Sequence, residues 1–143
     1  ASDVYKRQIL RSLHVALPKQ PVGSGATWRL KEPTSQDGVG MVRTHEWTLK
    51  KTGDVHVLQD HIQDTTDPAS VTLGALPKDM KARVTSVGGT GSIRAKWATQ
   101  QVLPTTWSLV LDHHLTVQAS IGGAEFETRT EVRTRATLKT TLR

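Results

Sequence analysis

Between positions 107 and 121 apolar and polar residues alternate. Trp107, Leu109, Leu111, His113, Leu115, Val117, Ala119 and Ile121 take the odd numbers, with Ser108, Val110, Asp112, His114, Thr116, Gln118 and Ser120 between them. In extended chain successive side chains point to opposite faces, so a repeat of two predicts a strand with one buried face. Gly122-Gly123 follows. Both central residues of a type I′ turn need positive φ, which glycine adopts without steric cost. Beyond it the pattern resumes on even numbers, with Ala124, Phe126, Thr128, Thr130, Val132, Thr134, Ala136 and Leu138, while Glu125, Glu127, Arg129, Glu131, Arg133 and Arg135 take the odd ones. A two-residue turn sets Ile121 opposite Ala124. It then brings Ala119 to Phe126, His113 to Val132 and Trp107 to Leu138 on one face, and Asp112 to Arg133 and His114 to Glu131 on the other. A slip of one residue would put the charged row on the apolar face. Each strand could run about fifteen residues, roughly 50 Å at 3.3 Å per residue, so a bend or bulge is expected.

The rest of the chain is read around this hairpin. Ile9 to Leu17 is a short helix or the tail of a preceding strand, and its periodicity does not decide between them. Pro18, Pro21, Gly23 and Gly25 mark an extended crossover. Ala26, Trp28 and Leu30 alternate as a strand would, Pro33 to Gly38 is turn chemistry, and Val39 to Lys51 is a strand with Met41, Trp47 and Leu49 on one phase. Thr52-Gly53 reads as the next turn and Val55 to Ile62 as the returning strand. A two-residue turn pairs Trp47 with Leu58, and a three-residue loop pairs it with Gln59. A short edge strand is expected at Ser70 to Leu73. Lys81 to Val87 and Ser92 to Ala98 are expected to flank a Gly-rich hairpin end at Gly88-Gly89-Thr90-Gly91, and Leu103-Pro104 breaks the chain before the long hairpin. These elements predict an all-β protein: an antiparallel meander of about seven strands, strongly curved or forming part of a barrel, with little helix.

Composition narrows the classes. The 143 residues suit one domain. Cysteine is absent, which removes disulfide and thiolate chemistry. No segment approaches the apolar run of a membrane-spanning helix. The net charge of +6 is spread along the strands and mixed with acids, with no basic block carrying interleaved aromatics. That pattern reads as a solvated face and does not predict a nucleic-acid partner. Asp3 to Gln8 resembles translated sequencing-adapter read-through, so residues 1–8 are expected to be a non-native leader. Residues 9–25 form the lead-in and crossover, and residues 26–143 the β domain. On that reading a native start carrying an export signal or lipid anchor would lie upstream.

Candidate chemistry is sparse. Gly88 to Ser92 lacks the Lys-Ser/Thr and the helix start of a phosphate loop. His113 and His114 are adjacent, hence on opposite faces, and cannot readily share a metal. His45 and His61 would face each other under the three-residue loop register, with Asp60 pointing the other way. Two ligands fall short of a catalytic zinc set. No Gly-x-Ser-x-Gly elbow is present. Neither a catalytic set nor a metal site nor a cofactor is predicted. A histidine-dependent metal-binding or hydrolytic enzyme is the alternative. Trp28, Trp47, Trp97 and Trp107, all on inward phases, with His113, form either a core of a few large side chains or an apolar groove on a concave sheet face able to hold a lipid-like ligand. The Thr row at 128, 130 and 134 is wetter than an ordinary core. It also suits an inner face whose covering half is missing.

The run Leu17-Pro18-x-x-Pro21-Val22-Gly23-x-Gly25-Ala26-x-Trp28 resembles a signature of a family of uncharacterised bacterial envelope proteins, many of them predicted lipoproteins (domain of unknown function 6263). Thr48-Leu49, the Gly89-x-Gly91 loop and the final hairpin are similar in layout, so the resemblance extends over roughly residues 9–142. It implies the C-terminal part of a longer exported protein, periplasmic or anchored at the outer membrane; the concave face is expected to bind a lipid-like ligand, an envelope protein partner or the missing N-terminal half. It carries no catalytic residues. The expectation is a non-enzymatic envelope protein.

Overall fold

The computed structural model describes residues 24–98 and 105–141, without the side chain of Trp97. The strands are β1 (Thr27–Gln36), β2 (Val39–Thr52), β3 (Val55–Thr65), β4 (Met80–Ala98), β5 (Thr106–Ile121) and β6 (Ala124–Lys139). They form one antiparallel sheet in the order β1-β2-β3-β4-β5-β6. The protein is therefore all-β, and the described residues contain no α-helix. Two expectations are corrected: the described residues form six strands, not about seven, and the sheet is open and not strongly curled. The short helix or strand expected at Ile9 to Leu17, the crossover up to Gly23 and the break at Leu103-Pro104 lie outside the described residues.

The long hairpin has the register that the sequence predicts. Ile121 pairs with Ala124, His113 with Val132 and Trp107 with Leu138, and Asp112 lies against Arg133. Gly122 and Gly123 both have positive φ, 54° and 84°. The expected irregularity lies one strand over. The β4–β5 register shifts between Val84 and Ser86, so Thr85 is a bulge. It moves the inward phase of β4 from Met80, Ala82 and Val84 to Val87, Gly89, Gly91 and Ile93, while β5 keeps one phase throughout.

Local turn chemistry explains two further differences. The β2–β3 loop is Gly53-Asp54, with Thr52 paired to Val55, so Trp47 meets Asp60 and neither Leu58 nor Gln59. Gly53 has φ 58°. A two-residue loop with glycine at its first central position fits a type II′ turn, and Thr52 could not fill that position without strain. In the first hairpin only Asp37-Gly38 turns, both at positive φ. Pro33 stays within β1, opposite Val42. Proline is tolerated there because β1 is the edge strand of the described sheet, with no second neighbour among the described residues. Ser70 to Leu73 is not a strand; Pro68–Ser70 is a single 3-10 turn capped by the Asp67 carboxylate.

The largest revision concerns β4. Lys81 to Val87 and Ser92 to Ala98 are parts of one nineteen-residue strand, and the glycines between them pair in the ladder, Gly89 with Asp64 on one side and His113 on the other. They do not turn the chain. At Gly89 and Gly91 side chains from β5 need room. A Cβ on Gly89 would lie 2.5 Å from His113 Cδ2 and 2.8 Å from the Asp112 carbonyl oxygen, and one on Gly91 2.5 Å from Leu111 Cδ2. The apolar core sits on the same face beside these glycines, built from Trp47, Leu58, Ile62, Ile93, Ala95, Trp107, Leu109 and Leu111.

Candidate functional site

A polar cluster lies within this inner face. Met41-x-Arg43-x-His45-x-Trp47 in β2 and Leu58-x-Asp60-x-Ile62-x-Asp64 in β3 each keep one phase, and every residue named is buried. The register carries one row straight across the sheet: Glu32, Arg43, Asp64, Gly89, His113 and Val132. Arg43 donates two hydrogen bonds to Asp64, at 2.8 and 2.9 Å. His113 Nε2 reaches over Gly89 to the same carboxylate, 2.7 Å from Oδ2. Asp64 and His113 are two strands apart, and only the missing Cβ of the intervening residue lets the ring span that gap.

Burial pushes the Asp64 carboxyl pKa up, but the hydrogen bonds from Arg43 and His113 and the Arg43 charge outweigh it and hold the group down at about 2. Asp64 is thus a carboxylate that accepts from three N–H groups, so His113 Nε2 carries the proton. Its other nitrogen, Nδ1, is buried with no partner among the described residues.

The second half of the cluster is centred on His45. Nδ1 bonds Asp60, and Nε2 lies 2.7 Å from Glu32 Oε1. Both nitrogens face carboxylates, and both can donate only when the ring is doubly protonated. Burial lowers the pKa of His45, but the hydrogen bonds to Asp60 and Glu32 exceed that effect and the net shift is upward. The ring stacks on Trp47 with centroids 5.5 Å apart and planes 10° apart, a placement over an indole face that favours its charged form. Trp28 stacks on the same indole at 6.5 Å.

The structure separates the residues singled out from the sequence. Trp47 and Trp107 are core residues, 1% and 2% exposed, Trp28 is half-buried, and the Trp97 side chain lies outside the described residues. His113 is inward, opposite Val132, and its partner is Asp64 rather than its chain neighbour Asp112, which pairs with Arg133 on the outer face. His45 and His61 do not face each other: His45 pairs with Ile62, while His61 pairs with Glu46 and is exposed. Asp60, expected to point away from His45, points inward and bonds it. His114 lies opposite Glu131 as expected, but it bonds Ser86 at 2.9 Å, and Glu131 takes Arg129 at 2.7 Å.

Glu32, Arg43, Asp60 and Asp64 were missed as site residues. The available signal was charged residues recurring on an apolar phase of period two, where burial demands partners.

Chemically, the cluster fixes three carboxylates, a guanidinium and two imidazoles in paired positions. Among the described residues neither His45 nor His113 hydrogen-bonds a hydroxyl. Among the described residues no group of three or more His, Asp or Glu is placed to hold a metal. No helix of the described residues is long and apolar enough to cross a membrane. Comparison with protein-family models, with curated proteins and with solved structures gives no match.

Proposed function

We propose that this chain is a non-enzymatic protein of the bacterial cell envelope whose inner sheet face takes an apolar, lipid-like occupant along β6. One observation carries the reading. On β6 the inner row continues as Phe126, Val132 and Leu138, which are 44%, 40% and 41% exposed, whereas the same face of β2 to β5 is buried around Trp47 and Trp107. Thr128, Thr130, Thr134 and Ala136 stand between them, so the row carries exposed apolar side chains at intervals beside a closed core and is rimmed by charge, which suits an interaction surface. A shallow depression of about 530 Å³ at the turn end gathers Ala82, Ala119 and Phe126 beside that row, with charged and polar side chains making up the rest of its lining. The buried ion pairs support the same reading, because Arg43, Asp64, His113, His45, Asp60 and Glu32 are held against one another and no hydroxyl joins them among the described residues. The envelope location rests on the resemblance of the Leu17 to Trp28 run.

Organic extraction of the purified chain, followed by mass spectrometry, is expected to release a bound lipid, and an apolar fluorescent dye is expected to bind the emptied protein. Burying one such side chain contributes about 1.5 kcal/mol, so Phe126→Ser and Val132→Ser should each weaken dye binding about tenfold without altering the circular dichroism spectrum. Dye affinity equal to wild type in both variants would remove the proposal.

A further inference from the structure

β6 ends the sheet, and no described strand pairs with its outer side. It runs for sixteen residues without proline or glycine. The opposite edge, β1, is ten residues long and carries Pro33, which has no N–H to offer a neighbour. Natural edge strands are commonly shortened or broken to prevent pairing, and β6 has neither protection.

Its backbone phase follows from the turn. In a two-residue hairpin the residues flanking the turn exchange both hydrogen bonds, so Ile121 bonds Ala124 and the even residues of β6 face β5. Thr140, on the same phase, donates to the Thr105 carbonyl at 2.9 Å. The N–H and C=O groups of the odd residues therefore point to the open edge. Those residues carry the charged outer row: Glu125, Glu127, Arg129, Glu131, Arg133 and Arg135. The signs run minus, minus, plus, minus, plus, plus, and read backwards the order is inverted at every position.

We propose that β6 pairs antiparallel with β6 of a second copy of this chain, about a two-fold axis at Thr130, joining the two sheets edge to edge. Glu125 then faces Arg135 of the second copy, Glu127 faces its Arg133 and Arg129 its Glu131, and the symmetry repeats each contact. All six charges meet opposite charges across hydrogen-bonded pairs. The even residues fall in the closer, non-bonded pairs on the inner face. Phe126 lies against Thr134 and Val132 against Thr128 of the second copy, which covers two of the exposed apolar groups. Moving the axis to Glu131 would set Glu131 against itself and Arg129 against Arg133. Moving it to Arg129 would set Arg129 against itself and Glu127 against Glu131. The charge order thus selects one register. The pairing uses the backbone edge and the outer row, so it stands whether or not the inner face takes an apolar ligand.

Sedimentation of the full chain is expected to show a mass that rises with concentration to twice that of one chain, with weaker association at high salt. E125R/E127R alone and R133E/R135E alone each create four like-charge contacts and should associate at least about tenfold more weakly. Mixed in equal amounts they should form a heterodimer, because every contact is then complementary. R133E also removes the Asp112 contact, so Arg129→Pro provides a second route: its lost N–H points at the open edge, leaving the β5–β6 ladder intact. That variant should keep the wild-type circular dichroism spectrum and be monomeric. A wild-type chain that stays monomeric at every concentration, failure of the mixed variants to pair, or dimerisation of Arg129→Pro at wild-type strength would each overturn the proposal.

Discussion

Asp64→Ala is expected to destabilise the protein by about 3–5 kcal/mol, because it leaves a buried cation without its counter-charge. Arg43 is 7% exposed, and its Nε and Nη2 groups each donate to Asp64. His113 loses its acceptor in the same variant. Urea unfolding should show the loss as a lower midpoint at unchanged slope. Arg43→Met combined with Asp64→Leu should recover much of it, since a buried pair replaced by apolar groups of similar volume is often near neutral. Asp112→Ala is the control. Its pair with Arg133 lies on the outer face, with both side chains about half exposed, and stability should barely change.

Acid titration probes the same group. The folded carboxyl of Asp64 is held at about 2, below the ordinary value of 3.8. Between those values the unfolded chain binds more protons than the folded one, so stability rises with pH across that window. The contribution is full above pH 3.8 and lost as the pH falls through about 2, and it amounts to no more than about 2 kcal/mol. Asp64→Asn should flatten that segment of the stability curve.

Gly89→Val is the second large effect expected, at about 3 kcal/mol or more. The new Cβ would lie 2.5 Å from His113 Cδ2 and 2.8 Å from the carbonyl oxygen of Asp112. A ring can rotate away, but a backbone oxygen in a ladder cannot without breaking its register. His113→Ala added to Gly89→Val should therefore restore only part of the loss, and thermal unfolding of the single and double variants separates the two contributions. Thr90→Val makes the contrast, because Thr90 is on the exposed face of the same strand.

The hairpin from Trp107 to Leu138 was legible because three local signals agree: alternation, a double glycine and opposed charges. The β2–β3 register was not, since Thr52-Gly53 and Gly53-Asp54 are both plausible turns until the sign of φ at the first loop position decides. β4 misled for a different reason. Gly88, Gly89 and Gly91 look like punctuation in one dimension, but the demand on Gly89 and Gly91 comes from His113 and Leu111, and that on Gly88 from the Asp64 carbonyl, all far away in sequence. Glycine in a strand interior marks close approach as often as a turn, and only the pairing of β4 with β5 distinguishes the two. The cluster was half legible. Arg43, His45, Asp60 and Asp64 fall on apolar phases, which announces buried partners, but which acid meets which base depends on the β2–β3 register.

The claim on which the rest depends is that β4 passes straight through its glycines so that His113 can reach Asp64. Nuclear Overhauser contacts of the Gly89 α-protons test it most directly. The account predicts contacts from Gly89 to His113 on one side and to Asp64 on the other, with a slowly exchanging proton on His113 Nε2. Short-range contacts between Val87 and Ser92, with none from Gly89 to His113, would show a turn at the glycines and contradict it.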